Sequence, residues 1–417
     1  MAYYCVVLEK KEYILKVKEY KLLKSLYYDN KDEYEELYNS RVNSDACVHL
    51  DFDIGDNPAF YVETPELIKS VVEITRLDKE ISELSKELPG IALKQYINKC
   101  LIDEIVITNN IEGVHSTRKE IGEILDDLQS KSKKRFFGLV NKYKALMTGA
   151  NLAIKSSSDI RALYNEMFLK EIVAEDPKDA PDGEIFRKGT VEVVNSMAKV
   201  IHHGLHPESE IIRSMDAAIN VLNNEDIDPL IRISVFHYLF GYIHPFYNGN
   251  GRLSRYISSY YLANTLEPIM GYRLSYTIKE NINSYYKGFE IVNDKINRGD
   301  ITPFIFIYLN LIKESAVNLR DGLINKVKLL NSFKARIKDL PYGADEKYKD
   351  LYYCLLQASL FSEIGISTTE LLDYMKLSRP TLQKRLGVID KSNLLIIEKR
   401  EANKFYQLNL DEVVVKA

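Results

Sequence analysis

The chain has 417 residues, more than one ordinary hydrophobic core accommodates, so two or three domains are expected. With 46% hydrophobic and 28% charged residues it reads as globular, and a net charge of -4 excludes a wholesale nucleic-acid binder while leaving room for a local basic surface. Its four cysteines, Cys5, Cys47, Cys100 and Cys354, lack CxxC spacing, which argues against a zinc site or a disulfide framework and fits a reducing cytoplasm. No apolar stretch has the length of a membrane span, and the run at the N-terminus is too short for a signal peptide.

Residues 1–60 mix Tyr, Lys and acids around an apolar patch, Cys47-Val48-His49-Leu50-Asp51-Phe52, and show no motif. From Thr64 the spacing of Leu67, Val71, Ile74, Leu77, Ile81, Leu84 and Leu88 predicts a helix that Pro89-Gly90 ends. Leu93, Ile97, Leu101 and Ile105 predict a second, ending at Thr108-Asn109-Asn110-Ile111-Glu112-Gly113. Further helices are expected at 118–129, 139–154 and 158–171. Between Pro177 and Val194 the Pro, Asp and Gly content predicts a loop with a short β-hairpin. Helices then resume at 210–223 and 229–243.

The next twelve residues, His244-Pro245-Phe246-Tyr247-Asn248-Gly249-Asn250-Gly251-Arg252-Leu253-Ser254-Arg255, concentrate the chemistry. Two glycines let backbone N–H groups approach an anion, and a helix starting there aims its positive end at the same point. His244 can accept a proton near neutral pH. Arg252 and Arg255 lie in the first helical turn, where the dipole disfavours cations unless an anion compensates them, and their forked guanidinium groups suit phosphates. A dinucleotide-binding reading of Gly249-x-Gly251 fails, because the loop follows a helix and the third glycine is missing.

This pattern closely resembles the signature of the Fic family, His-Pro-Phe-x-Asp/Glu-Gly-Asn-Gly-Arg-x-x-Arg, from which it departs at Asn248. The resemblance extends from about Tyr61 to Leu311. It implies transfer of AMP from ATP to a hydroxyl side chain of a target protein, with release of pyrophosphate. His244 would be the base, Gly249, Asn250 and Gly251 the anion-binding loop, and Arg252 and Arg255 the contacts to the β- and γ-phosphates. Val200-Ile201-His202-His203 resembles the flap that positions nucleotide and target. Tyr285 and Tyr286, with either Asn293 or Asn297, resemble the adenine side. Asn248 stands where the family has a magnesium-binding Asp or Glu. An amide oxygen binds Mg²⁺ or Mn²⁺ without charge, and the lost charge is worth at most about 4 kcal/mol at about 4 Å and an effective dielectric of about 20. Weaker or altered metal dependence is therefore expected. Thr108-x-x-x-Glu112-Gly113 resembles an inhibitory motif carried N-terminal to some Fic cores, and Glu112 would hold Arg255 away from the γ-phosphate.

A helix beyond Pro303 and a boundary at Leu340-Pro341-Tyr342-Gly343 precede a tail with different grammar. Helices at 351–361, 368–375 and 380–389 followed by a hairpin have the order of a winged helix-turn-helix. Between Ser367 and Tyr406 eight Lys/Arg face five acids, a net of +3, with Arg379, Lys384 and Arg385 on the candidate recognition helix.

The expected fold is mainly α, a Fic-type helical bundle with a small β-hairpin flap plus the C-terminal winged helix. Its parts are an N-terminal region 1–60 with no assigned role, a Fic N-terminal helical region 61–135 carrying the inhibitory motif, a Fic core 136–330 and the winged domain 345–417. ATP is the expected substrate and Mg²⁺ or Mn²⁺ the metal. Candidate partners are a hydroxyl-bearing target protein, the chain itself as target, a second copy in a homodimer, and DNA through the C-terminal domain. The competing readings are a DNA-binding regulator whose core senses nucleotide, favoured by Asn248 and the basic tail, and removal of AMP or transfer of another phosphate-linked group by the same loop. The intact His244 favours the transferase.

Overall fold

A computed structural model describes residues 20–126, 134–149, 151–194, 200–400 and 403–416. Cys5, the end of the helix expected at 118–129 and the turn residues 401–402 lie outside the described residues. The protein is mainly α, with three small antiparallel sheets among the described residues. No helix among them is long and apolar enough to cross a membrane. The chain divides into two compact units, residues 1–76 with 104–316, and residues 77–103 with 317–417.

The first unit is built around the helices Pro229–Ile243 and Asn250–Thr265. Asp228 starts the former by accepting from the amides of Leu230 and Ile231, and Pro229 presets its first turn. The sequence of this helix is apolar all round, and residues on every face are buried, Phe236, Leu239, Phe240 and Ile243 among them. Around this centre pack the helices Glu208–Asn223, Ile282–Asn293 and the start of Thr302–Arg336.

Several elements differ from the periodicity. The N-terminal region forms an antiparallel hairpin, Cys47–Ile54 with Asn57–Val62, turning at Gly55 with φ 61°. Its turn is tied to the core where the Gly55 amide donates to Tyr242 Oη at 2.7 Å. Polar residues in Leu50-Asp51-Phe52-Asp53 mark the exposed face of that strand, and the alternation is the signal that identifies it. The helix expected at 139–154 ends early, as Phe137–Ala145 plus a 3-10 turn. The one expected at 158–171 runs as Ser157–Tyr164, a π-helical stretch Asn165–Leu169, and Lys170–Glu175. The short hairpin expected before Val194 is displaced: Ile185 to Val191 form no strand, and Glu192–Val194 pairs instead with Val200–His203.

The second unit contains the helices Glu346–Phe361, Thr368–Met375 and Arg379–Asp390 and the strands Ile366–Ser367, Leu395–Arg400 and Asn403–Leu408, with the last strand in the middle of the sheet. Ser367 and Glu370 cap the second helix reciprocally. Leu382, Leu386 and Ile389 turn inward from the third, leaving Arg379, Thr381, Gln383 and Lys384 exposed.

Candidate active site

His244 ends the helix Pro229–Ile243 in the left-handed conformation, φ 52° and ψ 63°, and Pro245 stops the helix from continuing. The loop that follows is fastened at each residue. Phe246 stacks on Tyr164 with ring centroids 3.8 Å apart and meets the edge of Phe186. Tyr247 Oη donates to Asp182 Oδ1 at 2.9 Å and accepts from the Gly189 amide at 2.8 Å. Asn248 Nδ2 donates to Asp179 Oδ2 at 3.0 Å. The Asn250 side chain closes the loop on itself, accepting from the Phe246 amide at 2.9 Å and donating to the Phe246 carbonyl at 2.8 Å. Gly249, at φ 84°, makes the left-handed step that starts the helix Asn250–Thr265 and leaves its first amides without internal partners.

The two arginines of that helix have different surroundings. Arg255 is buried; its Nη2 donates to Glu112 Oε1 at 2.8 Å and to the Thr108 carbonyl at 3.1 Å, and its Nε donates to Thr108 Oγ1 at 2.8 Å. Burial works against its charge, but the Glu112 carboxylate outweighs it and holds the guanidinium above its ordinary pKa. Glu112 sits just past the helix Gly90–Ile111, and its carboxylate also fills the space over Gly251, 2.2 Å from where a Cβ would stand. A side chain at 251 would collide with it. Arg252 lies behind the loop, fully buried, with its Nη1 on Glu171 Oε1 at 2.6 Å while its Nε and Nη2 find no hydrogen-bond partner among the described residues. Burial pushes the Glu171 carboxyl up against the opposing pull of Arg252.

A cavity of about 240 Å³ gathers Glu112, His202, His244, Asn250, Gly251, Arg255, Tyr285, Tyr286 and Asn293. Gly241, Phe289 and, from the strand paired with Val200–His203, Glu192 and Val193 complete much of its wall. Of the residues singled out in the sequence, Asn248, Gly249, Arg252, Val200, His203 and Asn297 are not among the described residues that line it, and the Ile201 side chain lies outside the described residues. The two candidate asparagines therefore part: Asn293 is on the wall, its Oδ1 accepting from Tyr238 Oη at 2.7 Å, whereas Asn297 donates to the Asp300 carbonyl at 2.7 Å. His202 packs at a tilt against the Tyr242 ring and hydrogen-bonds the Tyr242 carbonyl oxygen at 2.6 Å, and burial pulls its pKa down. His203 is exposed beside Glu192 across the hairpin.

Burial pushes the His244 pKa down to about 4, against the raising pull of Glu112 and of a backbone hydrogen bond to Gly241. The ring is therefore neutral at pH 7 and able to accept a proton. Sequence reasoning missed what holds it in place. Arg187 is fully buried and spends its guanidinium on backbone carbonyls, Nε on His244 at 3.0 Å, Nη2 on Leu205 at 2.8 Å, and Nη1 on Gly189. It also missed Glu104, one turn before Thr108 on the helix that ends just ahead of Glu112; Glu104 accepts from the Ser275 amide and hydroxyl, and burial raises its pKa to about 7. Equally unsigned was His237, fully buried between Ser258, Tyr285 and Tyr308 and anchoring Tyr285 at 2.8 Å.

The hard side-chain oxygens that meet at the loop are the Asn248 amide and, from the separate turn Pro177–Asp179, the Asp179 carboxylate. Among the described residues no group of three His, Cys, Asp or Glu gathers to hold a metal. This donor set fits Mg²⁺ or Mn²⁺ bound chiefly by phosphate oxygens and water, with one or two protein oxygens added.

Residues 156–262 match the Fic/DOC family. The chain is 24% identical over 250 residues, 58% of its own length and 47% of the relative's, to a protein adenylyltransferase Fic of Drosophila ananassae. It is 32% identical over 95 residues, 23% of its length and 17% of the relative's, to the Drosophila yakuba protein of that name. The chain thus spans about half the length or less of these curated relatives. Similar solved structures include a Fic family protein from Desulfovibrio desulfuricans G20, 19% identical with a TM-score of 0.49 over 84% of this chain and 97% of that one. Another is Fic-1 from C. elegans, 18% identical with a TM-score of 0.44 over 73% and 81%.

Proposed function

This chain carries a Fic domain, and from that premise we propose that it is a protein adenylyltransferase, moving AMP from ATP to a hydroxyl side chain of a target protein and of itself. The observation that carries the reading is the meeting of His244, the Gly251 backbone and Arg255 in one cavity.

The target hydroxyl gives its proton to His244 as its oxygen bonds the α-phosphorus. The bond from that phosphorus to the bridging oxygen breaks, and the electron pair leaves on pyrophosphate. An anionic triphosphate beside the imidazole raises its depressed pKa toward neutrality, so the base strengthens when substrate is bound. Amides at the start of the helix Asn250–Thr265 hold phosphoryl oxygens, and Arg252, ion-paired with Glu171, braces the loop from behind. Tyr285, Tyr286 and Asn293 form the adenine side. Bound to the triphosphate, Mg²⁺ or Mn²⁺ would neutralise charge on the oxygens, with Asn248 and Asp179 as protein donors.

Arg255 is the group for the terminal phosphates, and Glu112 occupies it. We read this pair as an autoinhibitory contact that must open before ATP can bind productively. The test is incubation of the Glu112→Gly protein with ATP labelled at the α-phosphate: protein-bound label is expected, lost in Glu112→Gly/His244→Ala. No label from the α-position in Glu112→Gly would sink the assignment.

The C-terminal elements support an added reading as a winged helix that contacts nucleic acid, because Arg379, Gln383 and Lys384 are exposed on one helix. A duplex gel shift that weakens with salt is expected. No shift at low salt removes this role.

A further inference from the structure

We propose that Asp179 supplies the carboxylate that the signature loop lacks at Asn248, so that the metal-facing charge of this site comes from a segment sixty-nine residues upstream. This inference rests on the nucleotide reading above.

The donor direction is the first argument. Asn248 gives an N–H to Asp179 Oδ2 at 3.0 Å, which an ionised Asp or Glu at position 248, an acceptor only, cannot do. An aspartate there would set two carboxylates side by side, and like charges at that distance resist ionising together. The amide at 248 and the acid at 179 are therefore chemically matched, one holding the other.

Placement is the second argument. Asn248 directly precedes Gly249, whose left-handed turn opens the anion-binding helix, and Asp179 lies close enough that Tyr164, stacked under the loop, feels the charges of both Asp179 and Arg252. The contact is not needed merely to latch the loop. Tyr247, one residue earlier, already ties it to the same segment through Asp182 and Gly189. Both Asp179 and Asn248 are half-buried, and neither Asp179 Oδ1 nor Asn248 Oδ1 takes a hydrogen bond among the described residues. Two hard oxygens are thus open for a cation arriving on a triphosphate.

The test uses full-length Glu112→Gly protein, the β,γ-methylene analogue of ATP as probe, and electron paramagnetic resonance of free Mn²⁺ as readout. Analogue affinity is first measured in EDTA. Asp179→Asn should leave that affinity unchanged yet weaken Mn²⁺ binding to the complex by about 10- to 100-fold. The exchange Asp179→Asn/Asn248→Asp, which keeps one acid and one amide in contact, should restore it. Unchanged Mn²⁺ affinity in Asp179→Asn, or a loss that the exchange does not repair, overturns the proposal and leaves nucleotide binding standing. Failure of the parent to bind the analogue in EDTA overturns the nucleotide reading and this one with it.

Discussion

Glu112 Oε1 sits 2.8 Å from Arg255 Nη2, and it reaches there across 143 residues of sequence. Arg255 is almost fully buried whereas the Glu112 side chain keeps a quarter of its surface exposed, so the acid is the partner with somewhere to go. Thr108 holds the other edge of the guanidinium, so removing the acid does not leave Arg255 loose. Glu112→Gly should raise AMP incorporation by about tenfold or more, the scale of one partly buried charge-assisted hydrogen bond. Initial rates with labelled ATP check this; a variant no faster than wild type with nucleotide still bound removes the regulatory role.

His244→Ala should lower transfer by about 10²- to 10⁴-fold, the range of a lost general base. Analogue affinity should change little, because Arg255 and the amides proposed to hold the phosphates remain. A His244→Ala protein that transfers AMP at the parent rate would show that proton removal is done elsewhere.

Arg187 predicts a stability effect with no direct chemistry. Arg187→Met leaves the carbonyls of His244, Leu205 and Gly189 unsatisfied and should cost about 3 kcal/mol or more. Arg187→Lys should not repair it, since an ammonium cannot span three carbonyls with a planar fork. Urea midpoints for the two variants, compared with wild type, decide the matter.

His237 gives a pH test with a definite sign. Burial depresses its pKa from the ordinary 6.5 to about 3, so between these values the unfolded chain binds the proton and the folded one does not. Stability contributed by the neutral ring is full above pH 6.5 and is lost as pH falls toward 3. Going from pH 7 to pH 5 should cost wild type about 2 kcal/mol more than His237→Gln. Glu104, with its pKa raised to about 7, works in the opposite direction over the same interval, which is why the comparison is made between variants. Equal pH dependence of the two urea midpoints would contradict the assignment.

What the sequence showed and what it hid follow from the range of the interactions. Helices such as Pro229–Ile243 were legible because periodicity and caps are local. So was the loop from His244 to Arg255, whose residue types and offsets lie within twelve positions. The hairpin at Cys47–Val62 was obscured because its solvent face carries Asp51 and Asp53 amid a charged region. The flap hairpin was displaced because strand pairing is settled by partners across a gap, not by the apolar run itself. Arg187, Glu171 and Glu104 were invisible for a different reason. A buried charge is defined by who answers it, and their partners lie 57, 81 and 171 residues away. That Asn293 faces the cavity while Asn297 turns to the Asp300 carbonyl also needed three dimensions, since both sit near helical ends of similar composition.

The backbone at His244 carries one more implication. A left-handed conformation costs a residue with a side chain about 1 kcal/mol or more, whereas glycine adopts it freely. The position proposed to accept the proton is thus one where the fold itself would favour losing the imidazole. Selection for stability alone, as in a screen for heat-resistant variants without an activity readout, should enrich glycine at 244. Such a protein would be sturdier and inert, so thermal robustness and turnover must be scored together in any effort to improve this chain.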